Sequence, residues 1–137
     1  MKITGIEHIG IATDDLSKGN KFWNLVLGIN KTCTEDVENQ GVITDIYDTG
    51  NGKIELLLSK YPNSPIAKFL RKRGCGIHHI CLSVDDIDDA INELKKNHID
   101  IIGNTYTYGA EGLKVIFIHP SSTGGVLLEL AEKKERY

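Results

Sequence analysis

The sequence predicts an α+β protein built from two tandem βαβββ modules, and three observations carry that expectation. Gly76-Ile77-His78-His79-Ile80-Cys81 reads as a second copy of Gly5-Ile6-Glu7-His8-Ile9-Gly10. In both, a Gly opens an apolar alternation and a His follows three residues later, and the acidic pair Asp14-Asp15 or Asp85-Asp86 then precedes Leu16 or Ile87. His8 and His79 are 71 residues apart, and Glu55 and Glu129 are 74 apart, so the period is about half the chain. The 137 residues suit one domain, or two half-domains sharing a core. The expected organisation is one domain over 1–137, with module 1 at about 1–60, a linker helix in 61–75 and module 2 at about 76–137.

From Ile3 to Thr13 the pattern is that of a strand, with Ile9 and Ile11 on one face and His8, Gly10 and Ala12 on the other. Asp14 or Asp15 caps the following helix by accepting from its first free N–H groups, Leu16, Phe22, Trp23 and Val26 form its buried stripe, and Gly28 ends it. Ile29–Glu38 is a polar strand. Asn39-Gln40-Gly41 turns the chain into a strand at Val42–Thr49, and Gly50-Asn51-Gly52 makes a hairpin to Lys53–Ser59. There Ile54, Leu56 and Leu58 share a face, leaving Glu55 on the other, a costly place for a carboxylate unless it is paired or bound to a metal. Ser64 as cap and Pro65 at the first position open a short helix with Ile66, Phe69 and Leu70 inward.

The second module repeats these events. A strand at 77–84 leads to a helix from about Asp86 to Asn97, with Ile87, Ala90, Ile91 and Leu94 at helical spacing. Strands at 99–106, 113–119 and 125–131 follow, with a glycine-bearing loop at 108–112. His98 is a surface residue, and His119-Pro120 is a strand-end turn from which His119 is also a candidate to line the pocket.

A formal charge of −3 gives no basic field for nucleic acid. No apolar run reaches the ~18 residues of a membrane span, and no signal-peptide core opens the chain, so a cytoplasmic protein, or a matrix protein after removal of any leader, is expected. Cys33, Cys75 and Cys81 form no CxxC pair; they read as reduced thiols and, each taken alone, as small buried hydrophobes. Lys68, Arg71, Lys72 and Arg73 form the one dense basic cluster. It complements the C-terminal end of its helix or contacts a phosphate.

Alternation around His79 puts Ile77, His79, Cys81 and Ser83 on one face, so His79 rather than His78 matches His8. In both strands the His face carries small residues while the other is branched and bulky, as when one side packs on helices and the other lines a cavity. A single strand His or Glu is usually structural. Four at repeat-matched positions, His8, Glu55, His79 and Glu129, form an N2O2 set suited to Zn²⁺, Co²⁺, Mn²⁺, Ni²⁺ or Fe²⁺.

These runs, together with Asn63-Ser64-Pro65-Ile66-Ala67-Lys68-Phe69-Leu70, Phe117-Ile118-His119-Pro120 and Thr123-Gly124-Gly125-Val126-Leu127-Leu128-Glu129-Leu130, resemble the vicinal oxygen chelate (glyoxalase/bleomycin resistance) superfamily. Within it they are most similar to the methylmalonyl-CoA epimerases. The resemblance covers nearly the whole chain. It implies a cupped eight-stranded mixed sheet around a divalent metal (Co, Zn, Mn or Ni) held by His8, Glu55, His79 and Glu129. It also implies a homodimer and an acyl-CoA substrate, methylmalonyl-CoA, epimerised through a metal-stabilised enolate. Glu129 is then the first base, with Glu55 or a water held by Thr44 as its partner. Thr44 stands where some members carry a second acid. Lys68, Arg71, Lys72, Arg73 and His119 are candidate substrate contacts. A glyoxalase I type isomerase is the rival enzyme, and a metal-free small-molecule binding protein is the rival from another class. The fourth ligand candidate and the short chain disfavour an extradiol dioxygenase.

Overall fold

The structure, a computed structural model, describes residues 1–133. The chain divides into two compact units, one spanning His8–His78 and the other made of Met1–Glu7 with the described residues from His79 onward.

In the first unit, β1 (Ile3–Thr13), whose residues before His8 belong to the other unit, leads to α1 (Leu16–Asn20), which widens into a π-helical turn over Lys21–Val26. β2 (Asn30–Val37), β3 (Val42–Asp48), β4 (Lys53–Ser59) and α2 (Pro65–Arg73) follow. The strand order is β2-β3-β4-β1. β3 runs antiparallel to β2 and β4, and β1 is parallel to β4. Asp15 caps α1 by accepting from the Lys18 N–H, and Ser64 caps α2 through the Ala67 N–H at 3.1 Å, contacts worth ~1 kcal/mol each. Beyond β4, Lys60 donates to both Asp36 carboxylate oxygens at 2.8 and 2.9 Å and also meets Glu38, which Tyr61 contacts. Asp36 and Glu38 hold the Lys60 ammonium well above the usual lysine range. This clasp pins the end of β2 to the chain leaving β4.

The buried stripe of the first helix departs from expectation. Phe22 and Val26 are 48% and 68% exposed. The cause is Gly19, where a Cβ would come within 2.2 Å of Leu56 Cδ1. The backbone touches β4 there, so Leu16, Gly19, Asn20 and Trp23, all half-buried at i, i+3, i+4 and i+7, form the inward side. Phe22 instead meets the edge of Trp23 at 5.3 Å.

The second unit repeats this topology. β5 (Gly76–Val84), whose first residues belong to the first unit, leads to α3 (Ile87–Lys96), β6 (Ile101–Tyr108), β7 (Lys114–Ile118) and β8 (Leu128–Glu132). The order is β5-β8-β7-β6, with β5 and β8 parallel and the other pairs antiparallel. Each strand therefore occupies the place of its counterpart in the first unit. Asp86 caps α3 from the Asp89 N–H. Its Ile87, Ala90 and Ile91 pack on Val84, Ile116, Ile118 and Leu130, each large aliphatic contributing ~1.5–3 kcal/mol by burial. The opposite face carries a smaller cluster of Cys81, Val115 and Ala131 with Leu113 and Phe117.

β8 begins three residues later than expected. Gly124 and Gly125, at φ 87° and 124°, together with the Thr123 hydroxyl accepting from the Val126 N–H, hold the preceding residues in a turn. All three cysteines are free, but only Cys81 is buried; Cys33 is half-buried and Cys75, in the connection after α2, is exposed. His98 is exposed, as expected, just past the end of α3 at φ 58°. Among the described residues no helix is long and apolar enough to cross a membrane.

Candidate metal centre

In the first unit the parallel β1/β4 register sets His8 beside Lys53 and Gly10 beside Glu55. Paired residues share a face, so His8 and Glu55 project on the same side of the sheet and the missing side chain of Gly10 leaves room between them. His8 Nδ1 lies 2.9 Å from Glu55 Oε2, with both side chains almost fully buried, 7% and 4% exposed. Ile9, Ile11 and Leu56 take the other face. Burying an imidazole and a carboxylate is tolerated because each offsets the desolvation of the other.

The second unit makes the same construction. Glu129 is paired with Cys81 in the β5/β8 register, which puts it on the face of His79. His79 Nε2 lies 3.2 Å from Glu129 Oε1, at 6% and 4% exposure. Phe117, directly across from Glu129 on β7, meets the His79 ring edge-on at 5.8 Å. His78 turns to the opposite face, where its ring meets Phe69 of α2 at 5.0 Å.

Each pair fits half of a divalent-metal ligand set. Two donors each ~2.1 Å from one ion at a right angle are ~3 Å apart, close to the 2.9 and 3.2 Å seen here. Nitrogen and carboxylate donors on buried strands, with few rotamers to lose, match the chemistry of Zn²⁺, Co²⁺, Mn²⁺ or Ni²⁺.

Thr44, 1% exposed, shares the His8/Glu55 face: its neighbour but one, Ile46, is paired with Glu55. Asp45 faces the other way, where it accepts from the Thr34 hydroxyl at 2.5 Å. Burial and the Asp45 charge push the Tyr47 phenol above its usual range. Lys68, Arg71, Lys72 and Arg73 are exposed. Arg71 donates to the Pro62 carbonyl at 2.7 Å, and the Arg73 guanidinium sits 5.9 Å from the Phe69 ring centroid. His119 is exposed and caps the turn at Pro120–Ser122, its Nδ1 accepting from the Ser121 N–H at 3.0 Å. That leaves the proton of a neutral ring on Nε2. The sequence reading missed Glu7, a buried acid paired with Lys133 at 2.7 Å; its alternation with His8 was the available signal.

Residues 7–117 match the Glyoxalase/Bleomycin resistance protein/Dioxygenase superfamily. Among curated proteins, the mitochondrial methylmalonyl-CoA epimerase of Bos taurus is 40% identical over 128 residues, covering 93% of this chain and 73% of the relative. Among solved structures, methylmalonyl-CoA epimerase from Mycobacterium tuberculosis superposes with a TM-score of 0.91 at 32% identity, over 97% of this chain and 90% of that one. A variant of the Streptomyces coelicolor methylmalonyl-CoA epimerase, in complex with 2-nitronate-propionyl-CoA, has a TM-score of 0.90 at 29% identity, over 98% and 100%.

Proposed function

Because the chain belongs to the Glyoxalase/Bleomycin resistance protein/Dioxygenase superfamily, we propose that it is a methylmalonyl-CoA epimerase, interconverting the (R) and (S) epimers by removal and return of the α-proton. One observation carries this: in a chain similar to such epimerases nearly end to end, the two repeat-matched His/Glu pairs are intact and buried. His8, Glu55, His79 and Glu129 together supply the ligands of one divalent ion. A divalent ion held by these residues would supply Lewis-acid stabilisation of the developing enolate charge, worth several kcal/mol.

The remaining chemistry belongs to the side chains. Glu129 takes the α-proton: its carboxylate is nearly dry, its strand is rigid, and its contact with His79 fixes its orientation. Thr44, buried on the His8/Glu55 face, holds a water or orients the substrate through its hydroxyl. The proton returned to the other face of the planar carbon inverts the centre. The enzyme works as a homodimer in the cytoplasm, where its three free thiols stay reduced.

The deciding experiment assays one metal-loaded sample for α-proton exchange of methylmalonyl-CoA in deuterated water and for turnover of the methylglyoxal–glutathione hemithioacetal, with metal analysis alongside. The expected result is exchange and epimerisation with stoichiometric metal. Turnover of the hemithioacetal alone would make the chain a glyoxalase I type isomerase, and ligand binding without metal would make it a sequestering module.

The CoA phosphates are assigned to the exposed cations of α2, with His119 Nε2–H as a further donor to substrate. Lys68→Glu and Lys72→Glu test this most cleanly, because Arg71 and Arg73 also make contacts within the fold. The double variant should raise KM several-fold, less so at high salt, with kcat little changed. An unaltered KM would remove the cluster from substrate binding.

A further inference from the structure

Inversion needs a proton donor on each face of the enolate carbon, and Thr44 is not an acid. We propose that Glu35, on β2, is the second proton-transfer carboxylate, an assignment that rests on the epimerase reading. β2 and β3 start in a register that pairs Asn30 with Asp48 and Lys31 with Tyr47. An irregularity between Lys31 and Cys33 then shifts it by one, pairing Cys33 with Ile46 and Glu35 with Thr44. Unshifted, the strand would set Thr34 against Thr44 and turn Glu35 to the other side. The bulge therefore re-aims a carboxylate onto the face that carries Thr44, Glu55 and His8.

Burial along β2 agrees. Cys33 and Glu35 are half-buried and Val37 is buried, while Thr32, Thr34 and Asp36 are exposed. Side chains paired across antiparallel strands have Cβ atoms ~4.5–5.5 Å apart, so a Glu35 carboxylate, carried one methylene beyond its Cβ, has the length to reach past the shorter Thr44 side chain on the face it shares with Glu55. Both sides of β2 are fixed. The Thr34 hydroxyl donates to Asp45 on the far face, and Lys60 clasps Asp36 and Glu38 at the strand's end.

The proton balance is complete. For one epimer the Glu129 carboxylate breaks the α-C–H bond and becomes the acid, and protonated Glu35 delivers its proton to the opposite face and becomes the carboxylate. The other epimer reverses both roles, and solvent exchange resets the pair.

Glu35→Gln is the test, with epimerisation and α-deuterium exchange followed separately from each pure epimer and folding followed by thermal melting. Epimerisation should fall ~10²–10⁴-fold, while one epimer still exchanges its α-proton at nearly the parent rate without inverting, because Glu129 alone can remove a proton and return a deuteron to the same face. Adding Thr44→Glu, which puts an acid on the same face one strand nearer Glu55, should restore part of the epimerisation. Parent-like epimerisation in Glu35→Gln overturns the proposal, and so does equal loss of exchange from both epimers, the mark of a structural role. A parent chain that epimerises nothing would instead sink the epimerase reading, before any variant is compared.

Discussion

Glu129→Gln is expected to slow α-proton exchange ~10²–10⁴-fold for the methylmalonyl-CoA epimer whose α-proton faces Glu129, while the protein keeps most of its metal. The size of the effect follows from what the substitution removes. Glutamine matches the shape of glutamate and retains a carbonyl oxygen beside the His79 ring, which Glu129 Oε1 approaches at 3.2 Å, so the amide remains a weak ligand. It has no basic lone pair able to take a proton from carbon, so the chemical step loses its base. Because the side chain is only 4% exposed, solvent is poorly placed to substitute. Metal content measured beside the exchange rate separates the two roles: a large fall in rate with metal retained assigns the base, and an unchanged rate removes Glu129 from proton transfer. Loss of metal and rate together would make it a ligand only. Paired with Glu35→Gln, the two variants should leave opposite epimers able to exchange, a pattern that general destabilisation does not produce.

The fold was legible because repetition and alternation are both periodic signals. Gly-Ile-x-His recurs with the acidic pair behind it, and a strand whose side chains alternate dictates which residues share a face, so the facing of His79 against His78 and of Thr44 against Asp45 could be read before any coordinates. Caps were legible for the same local reason: Asp15, Ser64 and Asp86 each sit one residue before their helix. What the sequence concealed depends on non-local geometry. Phe22 and Val26 look like a buried stripe until Gly19 is seen to touch Leu56, which rotates the helix about that contact. Glu35 looks like one more polar residue in a polar strand, since its facing is set by a one-residue shift between β2 and β3 that no property of β2 alone announces. Glu7 was hidden by Lys133, its partner at the far end of the chain. A bulge and a long-range ion pair are decisions of tertiary structure, and they bear on two acids close to the proposed chemistry.

His8→Ala and His79→Ala should each abolish stoichiometric metal binding, and this joint outcome tests whether the two pairs serve one ion. The parent protein, loaded to ~100 times its dissociation constant, gains ~2.7 kcal/mol from the bound ion and should melt several degrees higher than the chelated form. Removing either imidazole deletes one ligand and leaves a carboxylate, Glu55 or Glu129, buried beside a cavity, so each variant is also less stable without metal. Affinity should fall at least ~100-fold, since even outer-shell changes around a metal cost 10–100-fold, and the metal-dependent rise in melting temperature should vanish in both variants. His78→Ala is the control: its ring meets Phe69 on the opposite face, so it should lose some stability yet keep the full metal response. If the pairs were independent sites, each His→Ala variant would keep half the parent's metal and half the response. If they were hydrogen-bonded structural pairs with no ion, the parent itself would show no metal-dependent stabilisation. Only a shared centre makes one substitution in either repeat silence the whole signal, the behaviour expected of a doubled module whose two halves each carry an incomplete ligand set.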